Sequence, residues 1–402
     1  MRLSKSVSSS EGCTGLPPPY GPRSQKVASK LFWVGIAYSE NTVRRALLIN
    51  AACLSGRRVQ GQRFVKLSDR PGRQTVMSGL TTILRHVWVG LFGILIFVVR
   101  SHAQSAAPSV PEKIIIDTDV GDDVDDAFAV ALALRSPELQ IVGISTTFGD
   151  TETRAKILDR FLHEARREDI PVAVGTPTHN NNPMTQRRYA EASRLAFSGN
   201  ARASHPKAVD FILEQICRYP GEITLVAIGP LFNVGALIDR DPQAFRKLKR
   251  VVFMGGSIER GYGDLGYVPP HGPDPEWNIK NDIPSAQKLF ASGVPLYMMP
   301  LDSTQLKLDE VKRAVLFQAG TPLTDSLTLL YHQWGQETPT LFDVMTVAYI
   351  LNPKLCPVTP MHIRVDDQGF TRAEPGVPNA QVCLDSDADV FFRFYISRMV
   401  AP

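Results

Sequence analysis

The sequence predicts an α/β fold, an open and mostly parallel sheet flanked by helices, on three observations. From Lys113 onward, apolar runs of strand length alternate with amphipathic stretches of helix length. The runs lack the polar alternation of a half-exposed strand, so both of their faces are covered. An acidic cluster stands between the first run and the first amphipathic stretch, where open α/β sheets present their ligands. With 402 residues, 44% hydrophobic and 21% charged, the chain is long enough to bury the core that such a sheet needs.

The elements follow in chain order. Strands are predicted at 114–116, 141–146, 172–174, 223–227, 250–254 and 296–299, with helices at 127–134, 155–164, 233–238 and 283–291. Two polar, irregular stretches interrupt the rhythm. One runs from about 177 to 203 and contains Asn180-Asn181-Asn182-Pro183; the other runs from 261 to 275 with four Gly and four Pro. Long loops inside a compact α/β domain generally line a site or act as a lid, so both are candidates for substrate contact.

Charge is uneven along the chain. Residues 1–103 carry 15 Lys and Arg against three Asp and Glu, and the remainder carries 29 against 37. The net charge of +4 therefore marks no nucleic-acid surface on the globular part. Near Met77 the chain reads as a secretory leader: Arg85 and His86 precede the 13-residue apolar run 87–99, and Ser101-His102-Ala103 supplies small residues at a cleavage site. The run is short for a ~30 Å hydrocarbon core, although a buried or anchoring helix is the alternative. The reading is thus a signal peptide at 77–103, a linker at 104–112 and one catalytic domain at 113–402, with export to the periplasm or the extracellular medium and no stable membrane insertion after cleavage. Residues 1–76 show no sustained period and read as unstructured, either an upstream extension of the gene model or a genuine long leader. Of the five cysteines, Cys217, Cys356 and Cys383 follow the cleavage site; their spacing suggests no zinc site, and one bridge or buried thiols are both open.

The acidic cluster holds Asp117, Asp119, Asp122, Asp123, Asp125 and Asp126 within ten residues. Crowded carboxylates raise one another's pKa, so the stretch protonates in part, splays into water or binds a hard cation such as Ca²⁺ or Mg²⁺. Its place at the end of a strand favours the cation. An EF-hand is excluded, because Gly121 is fifth from Asp117 rather than sixth. A DxD phosphatase, with Asp117 as nucleophile and Asp119 as acid/base, fits the first motif but finds no downstream partners in order.

The stretch Ile114-Ile115-Ile116-Asp117-Thr118-Asp119-Val120-Gly121, followed by Asp125-Asp126-Ala127, resembles the signature loop of inosine-uridine-preferring nucleoside hydrolases. The resemblance covers roughly 230 residues in several ordered motifs. It continues through Ile141 to Thr147, Thr224 to Asn233, the Met254-Gly255-Gly256 turn, Glu276-Trp277-Asn278, Asp282 with Ala286, and Phe342-Asp343. It implies the family's Rossmann-like core and Ca²⁺-dependent hydrolysis of the N-glycosidic bond of ribonucleosides, in purine or pyrimidine salvage. Asp119 and Asp126 would ligate Ca²⁺ together with Asp343 and the backbone carbonyl of Ile228, an all-oxygen set suited to a hard cation. Asp119 would act as general base towards a metal-acidified water. Asp125, Glu276 and Asn278 would hold the ribose hydroxyls, Trp277 would pack on the sugar or fill core, and Asp150 stands where the family has an Asn near the ribose. The implied partner is a small nucleoside, with self-association into a homo-oligomer left open.

Three departures from the family pattern matter. Two extra residues follow Gly121, so Asp122 or Asp123 competes for a ligand role. Asp150 replaces a donor-capable amide with an acceptor. Phe342 stands where members often carry a His proposed to protonate the leaving base; His332, Tyr331, His179 or another residue of the 177–203 loop are candidate substitutes, or the base leaves by stacking on Trp334 or Tyr189 with protonation from solvent. Another N-ribosyl compound as substrate, a phosphatase, and a non-catalytic calcium- or sugar-binding secreted protein are the rival readings.

Overall fold

The computed structural model describes residues 110–196, 204–264 and 271–401. The expected leader and the segment upstream of it lie outside the described residues. In chain order the first half contains β1 (Glu112–Thr118), α1 (Asp125–Leu134), β2 (Leu139–Thr146), α2 (Thr151–Glu164), β3 (Val172–Val174), α3 (Arg187–Ala196), α4 (Ala208–Arg218), β4 (Ile223–Ala227), α5 (Phe232–Arg240), α6 (Pro242–Phe245) and β5 (Arg250–Met254). The second half contains α7 (Trp277–Lys280), α8 (Ile283–Ala291), β6 (Leu296–Met299), α9 (Leu301–Thr304), α10 (Glu310–Phe317), α11 (Pro322–Trp334), α12 (Val344–Leu351), β7 (Val358–Val365), β8 (Thr371–Glu374), β9 (Ala380–Cys383) and α13 (Ala388–Val400).

The strands form one nine-stranded sheet in the order β3-β2-β1-β4-β5-β6-β9-β7-β8. Pairing is parallel from β3 through β6 to β9, and β7 runs antiparallel to both β9 and β8. The alternation of strand side chains divides the core. Ile114 and Ile116 of β1 face a cluster built from α1, α2, α11, α12 and α13, whereas Ile115 faces one built from α4, α5 and α8. All three isoleucines are fully buried, and each such burial stabilises the fold by roughly 1.5 to 3 kcal/mol. This double coverage is why the strand runs are uniformly apolar.

β1 lies between β2 and β4, where the strand order reverses. The loop leaving its C-terminal end therefore opens into the crevice at the topological switch point. The acidic cluster occupies that loop.

Two features differ from the sequence expectation. The stretch 177–203 is not loop throughout, since α3 forms at Arg187–Ala196. The sheet also continues past β6 through β7, β8 and β9, with Cys356 bridged to Cys383. The bridge joins the turn after α12 to β9, while Cys217 is free and exposed. Among the described residues no helix is long and apolar enough to cross a membrane.

Candidate functional site

The loop after β1 is shaped by its own backbone demands. Gly121 has φ +125°, and a Cβ there would press on Ile157 and Met184. From Gly121 the chain turns into α1, whose first two residues are Asp125 and Asp126. Carboxylates in a first helical turn meet the positive end of the helix dipole. α12 packs against α1, and Asp343 stands at its N-terminus. The Asp343 side chain makes no capping hydrogen bond, so its carboxylate is left for the site.

These two helix ends bring Asp125, Asp126 and Asp343 together. Each offers one carboxylate oxygen within 4.8 Å of the others, and all three are buried. Asp126 accepts a short hydrogen bond from the Thr118 hydroxyl, and Asp125 accepts from the Asp343 backbone N–H at 3.3 Å. Among the described residues no basic side chain is hydrogen bonded to any of the three. Burial, and then the charges of the neighbouring carboxylates, Asp119 and Asp123 among them, pushes all three well above the ordinary carboxylate range. Asp119 lies beside them at the same cavity, raised to about 7 by burial and by the charges of Asp122 and Asp123 against the pull of Arg154. Its Oδ1 lies 2.8 Å from where a Cβ on Gly229 would stand, so the glycine after Ile228 makes room for the carboxylate. Crowded, buried, all-oxygen donors, with Arg154 as the cation acting on Asp119 and Asp126, fit a hard divalent cation.

Arg154 holds this loop in place, and it is fully buried. Its guanidinium donates to the backbone carbonyls of Asp119, Val120 and Phe148 and to the Asp122 carboxylate at 2.9 Å. The same Asp122 oxygen accepts from Asn180 at 2.7 Å, which makes Asp122 a structural pin. Asp123 lines the cavity, with one oxygen accepting from the Val124 N–H at 2.6 Å. Nothing in the sequence pattern marks Arg154, because its partners are mostly loop carbonyls. Phe148 has φ +59° and is wedged between Phe232 and Trp277, with ring centroids 5.8 and 6.1 Å away. Asp117, behind the site, accepts from Ser145 at 2.5 Å and Asn233 at 2.7 Å, yet burial still raises it to about 6.

The cavity has a volume of about 460 Å³. Besides the carboxylates, Ile228, Glu276, Trp277 and Asn278 face it. Glu276 accepts three backbone N–H bonds, from Gly256 (2.9 Å), Asn278 (2.9 Å) and Ile279 (3.1 Å), and burial nevertheless lifts it to about 7. The first of these bonds depends on the Gly255-Gly256 turn, where Gly256 has φ +82° and a Cβ would strike Met298. Asn278 donates to the Met254 carbonyl at 3.1 Å. Trp334, Phe342 and Tyr262 add aromatic surface, and Asn182, Pro183 and Thr185 bring the 177–186 segment to the rim.

Other expectations fall elsewhere. Asp150 does not line the cavity: it caps α2 through Thr153 and pairs with Arg187 at 2.9 Å, so its carboxylate is committed to the fold. His332 is exposed on the outer side of α11 against Tyr331, and the Tyr331 hydroxyl donates to the Glu337 carbonyl. Tyr189 is buried with its hydroxyl on Ser326, and His179 is an exposed partner of Asn181. Of the substitutes named singly for the acid or the stacking surface, Trp334 reaches the cavity, and the 177–203 loop reaches it through Asn182, Pro183 and Thr185. Tyr262, which sequence reasoning did not single out, reaches it as well.

Comparisons with known proteins agree with this geometry. A family model described as inosine-uridine preferring nucleoside hydrolase matches residues 114–393. The pyrimidine-specific ribonucleoside hydrolase RihA of Escherichia coli O81 (strain ED1a) is 31% identical, over 71% of this chain and 97% of its own length. Uridine nucleosidase 1 of Arabidopsis thaliana is 29% identical over 64% of this chain and 80% of its own. Among solved structures, the plant nucleoside hydrolase PpNRh1 matches with a TM-score of 0.60 at 25% identity, covering 73% of this chain and 100% of that one. The purine-preferring ribonucleoside hydrolase from Gardnerella vaginalis shares the fold at a TM-score of 0.61 and 22% identity, covering 72% and 98%. With the matched segment running from β1 into α13 and taking in every carboxylate of the site, the chain belongs to the inosine-uridine preferring nucleoside hydrolase family.

Proposed function

We propose that the protein hydrolyses the N-glycosidic bond of ribonucleosides to ribose and free base, with Ca²⁺ held at the carboxylate cluster. The observation that carries this reading is the trio of buried carboxylates at the crevice, with no basic side chain hydrogen bonded to them among the described residues and with Asp119 beside them. Asp119, Asp126, Asp343 and the Ile228 carbonyl are the proposed ligands, and Asp125 is close enough to share the ion while holding a ribose hydroxyl. When bound there, calcium would supply positive charge to orient the sugar hydroxyls and to acidify the attacking water. Asp119 accepts the proton of that water. Glu276 and Asn278, fixed by the bonds around the Gly255-Gly256 turn, take the remaining sugar hydroxyls, and Trp277 covers the sugar face. The carboxylate-rich wall stabilises the oxocarbenium-like charge that develops at the anomeric carbon.

Export is part of the same proposal, supported by the apolar run 87–99 and by the Cys356–Cys383 bridge, which suits an oxidising compartment. The experiment that separates the hydrolase from a phosphatase is a parallel assay of nucleosides for reducing sugar and of nucleotides for phosphate. Ribose release from nucleosides is the expected result. Phosphate release with nucleosides untouched would overturn the proposal.

A further inference from the structure

Phe342 has no proton to give a departing base, so the leaving group needs help from elsewhere in the cavity. Tyr262 is placed to give it. Its oxygen accepts the Trp277 backbone N–H at 2.9 Å, which fixes the phenol, and among the described residues no acceptor takes its own hydrogen. Three backbone N–H groups take three of the roughly four acceptor sites of the nearby Glu276 carboxylate, which leaves one for a sugar hydroxyl. The ring packs edge-on against Phe342 with centroids 6.1 Å apart, and both residues line the cavity. Tyr262 thus spans the seam between the residues proposed for the sugar, Glu276 and Asp125, and the aromatic surface of Phe342 and Trp334.

When the bond from the anomeric carbon to nitrogen breaks, its electron pair stays on the base, and charge spreads to the ring's acceptor atoms. The acceptors flanking the glycosidic nitrogen, O2 of a pyrimidine or N3 of a purine, remain beside the sugar. Resting on the nucleoside hydrolase reading, we infer that Tyr262 donates its hydroxyl hydrogen bond to that flanking acceptor and so stabilises the leaving base, with Phe342 and Trp334 facing the ring. The water's oxygen bonds to the anomeric carbon and its proton goes to Asp119. The base then takes a proton from solvent, and Tyr262 keeps its own.

The test is Tyr262→Phe, which keeps the ring against Phe342 and removes only the hydroxyl. Folding is checked by circular dichroism and melting temperature, and activity is measured on a nucleoside and on p-nitrophenyl β-ribofuranoside, whose phenolate leaves unaided. The expected result is a loss of about a hundredfold in kcat on the nucleoside, the scale for removing one donor to a developing anion, with the aryl riboside within about threefold of wild type. Equal loss on both substrates would mark Tyr262 as a sugar contact, and no loss on either would give it no role; both overturn the assignment. A wild-type enzyme that cleaves the aryl riboside but no nucleoside would remove the underlying substrate reading and this assignment with it.

Discussion

Arg154 shows how one residue can organise a site without touching substrate. Its guanidinium joins the β1 loop, the end of β2 and the Asp122 carboxylate, with no exposed surface of its own. Arg154→Gln should cost about 3 to 5 kcal/mol of stability, as expected when one partner of a buried ion pair is removed. Because Arg154 holds the Asp119 carbonyl, calcium affinity should fall as well; denaturant unfolding and calorimetric titration check the two effects, and an unchanged midpoint would contradict the assigned role. The carboxylates were legible in the sequence because six of them in ten residues demand a cation or a large pKa shift. Arg154 was not, since a guanidinium satisfied by loop carbonyls leaves no spacing rule behind. Asp150 was singled out only by its alignment with a family Asn near the ribose, whereas here its carboxylate caps α2 through Thr153 and pairs with Arg187.

Elements set where those residues point. Strands β1 to β6 were legible as short apolar runs because helices cover both of their faces. β7 was not, because it lies towards the edge of the sheet and exposes Thr359, Pro360 and Arg364, with only Ile363 and Val365 buried, so no apolar run forms. α3 was missed because Arg187 and Arg188 open it within a polar, Asn-rich stretch. The Cys356–Cys383 bridge fastens the far end of α12, the helix whose first turn follows Asp343, to β9. Replacing both cysteines with serine should lower stability by about 2 to 4 kcal/mol, the usual worth of a bridge closing a loop of this length. Urea unfolding of the double variant measures it, and a midpoint equal to that of wild type would show that the bridge contributes nothing.

For the whole molecule, the concentration of buried carboxylates at one crevice links folding, metal binding and pH. Asp117, Asp119 and Glu276 are raised by burial to about 6, 7 and 7 from ordinary values of 3.8, 3.8 and 4.5. A raised carboxylate favours the folded state most when both states are protonated; as pH climbs the unfolded chain releases its proton first, and the contribution is lost between about pH 4 and 7. The melting temperature of metal-free protein should therefore fall across that window, and saturating calcium should flatten the fall by supplying the missing charge. Parallel slopes with and without calcium would show that the ion does not bind among these groups. Catalysis provides the most direct test of the central claim, a calcium-dependent N-ribosyl hydrolase centred on Asp119. Ribose release from inosine, uridine, adenosine and cytidine is measured with chelator, after added calcium, and for Asp119→Ala. The account predicts release from at least one nucleoside, its loss in chelator, its recovery with calcium, and a fall of about a hundredfold or more in the variant; chelator-resistant release, or a variant as fast as wild type, would contradict it.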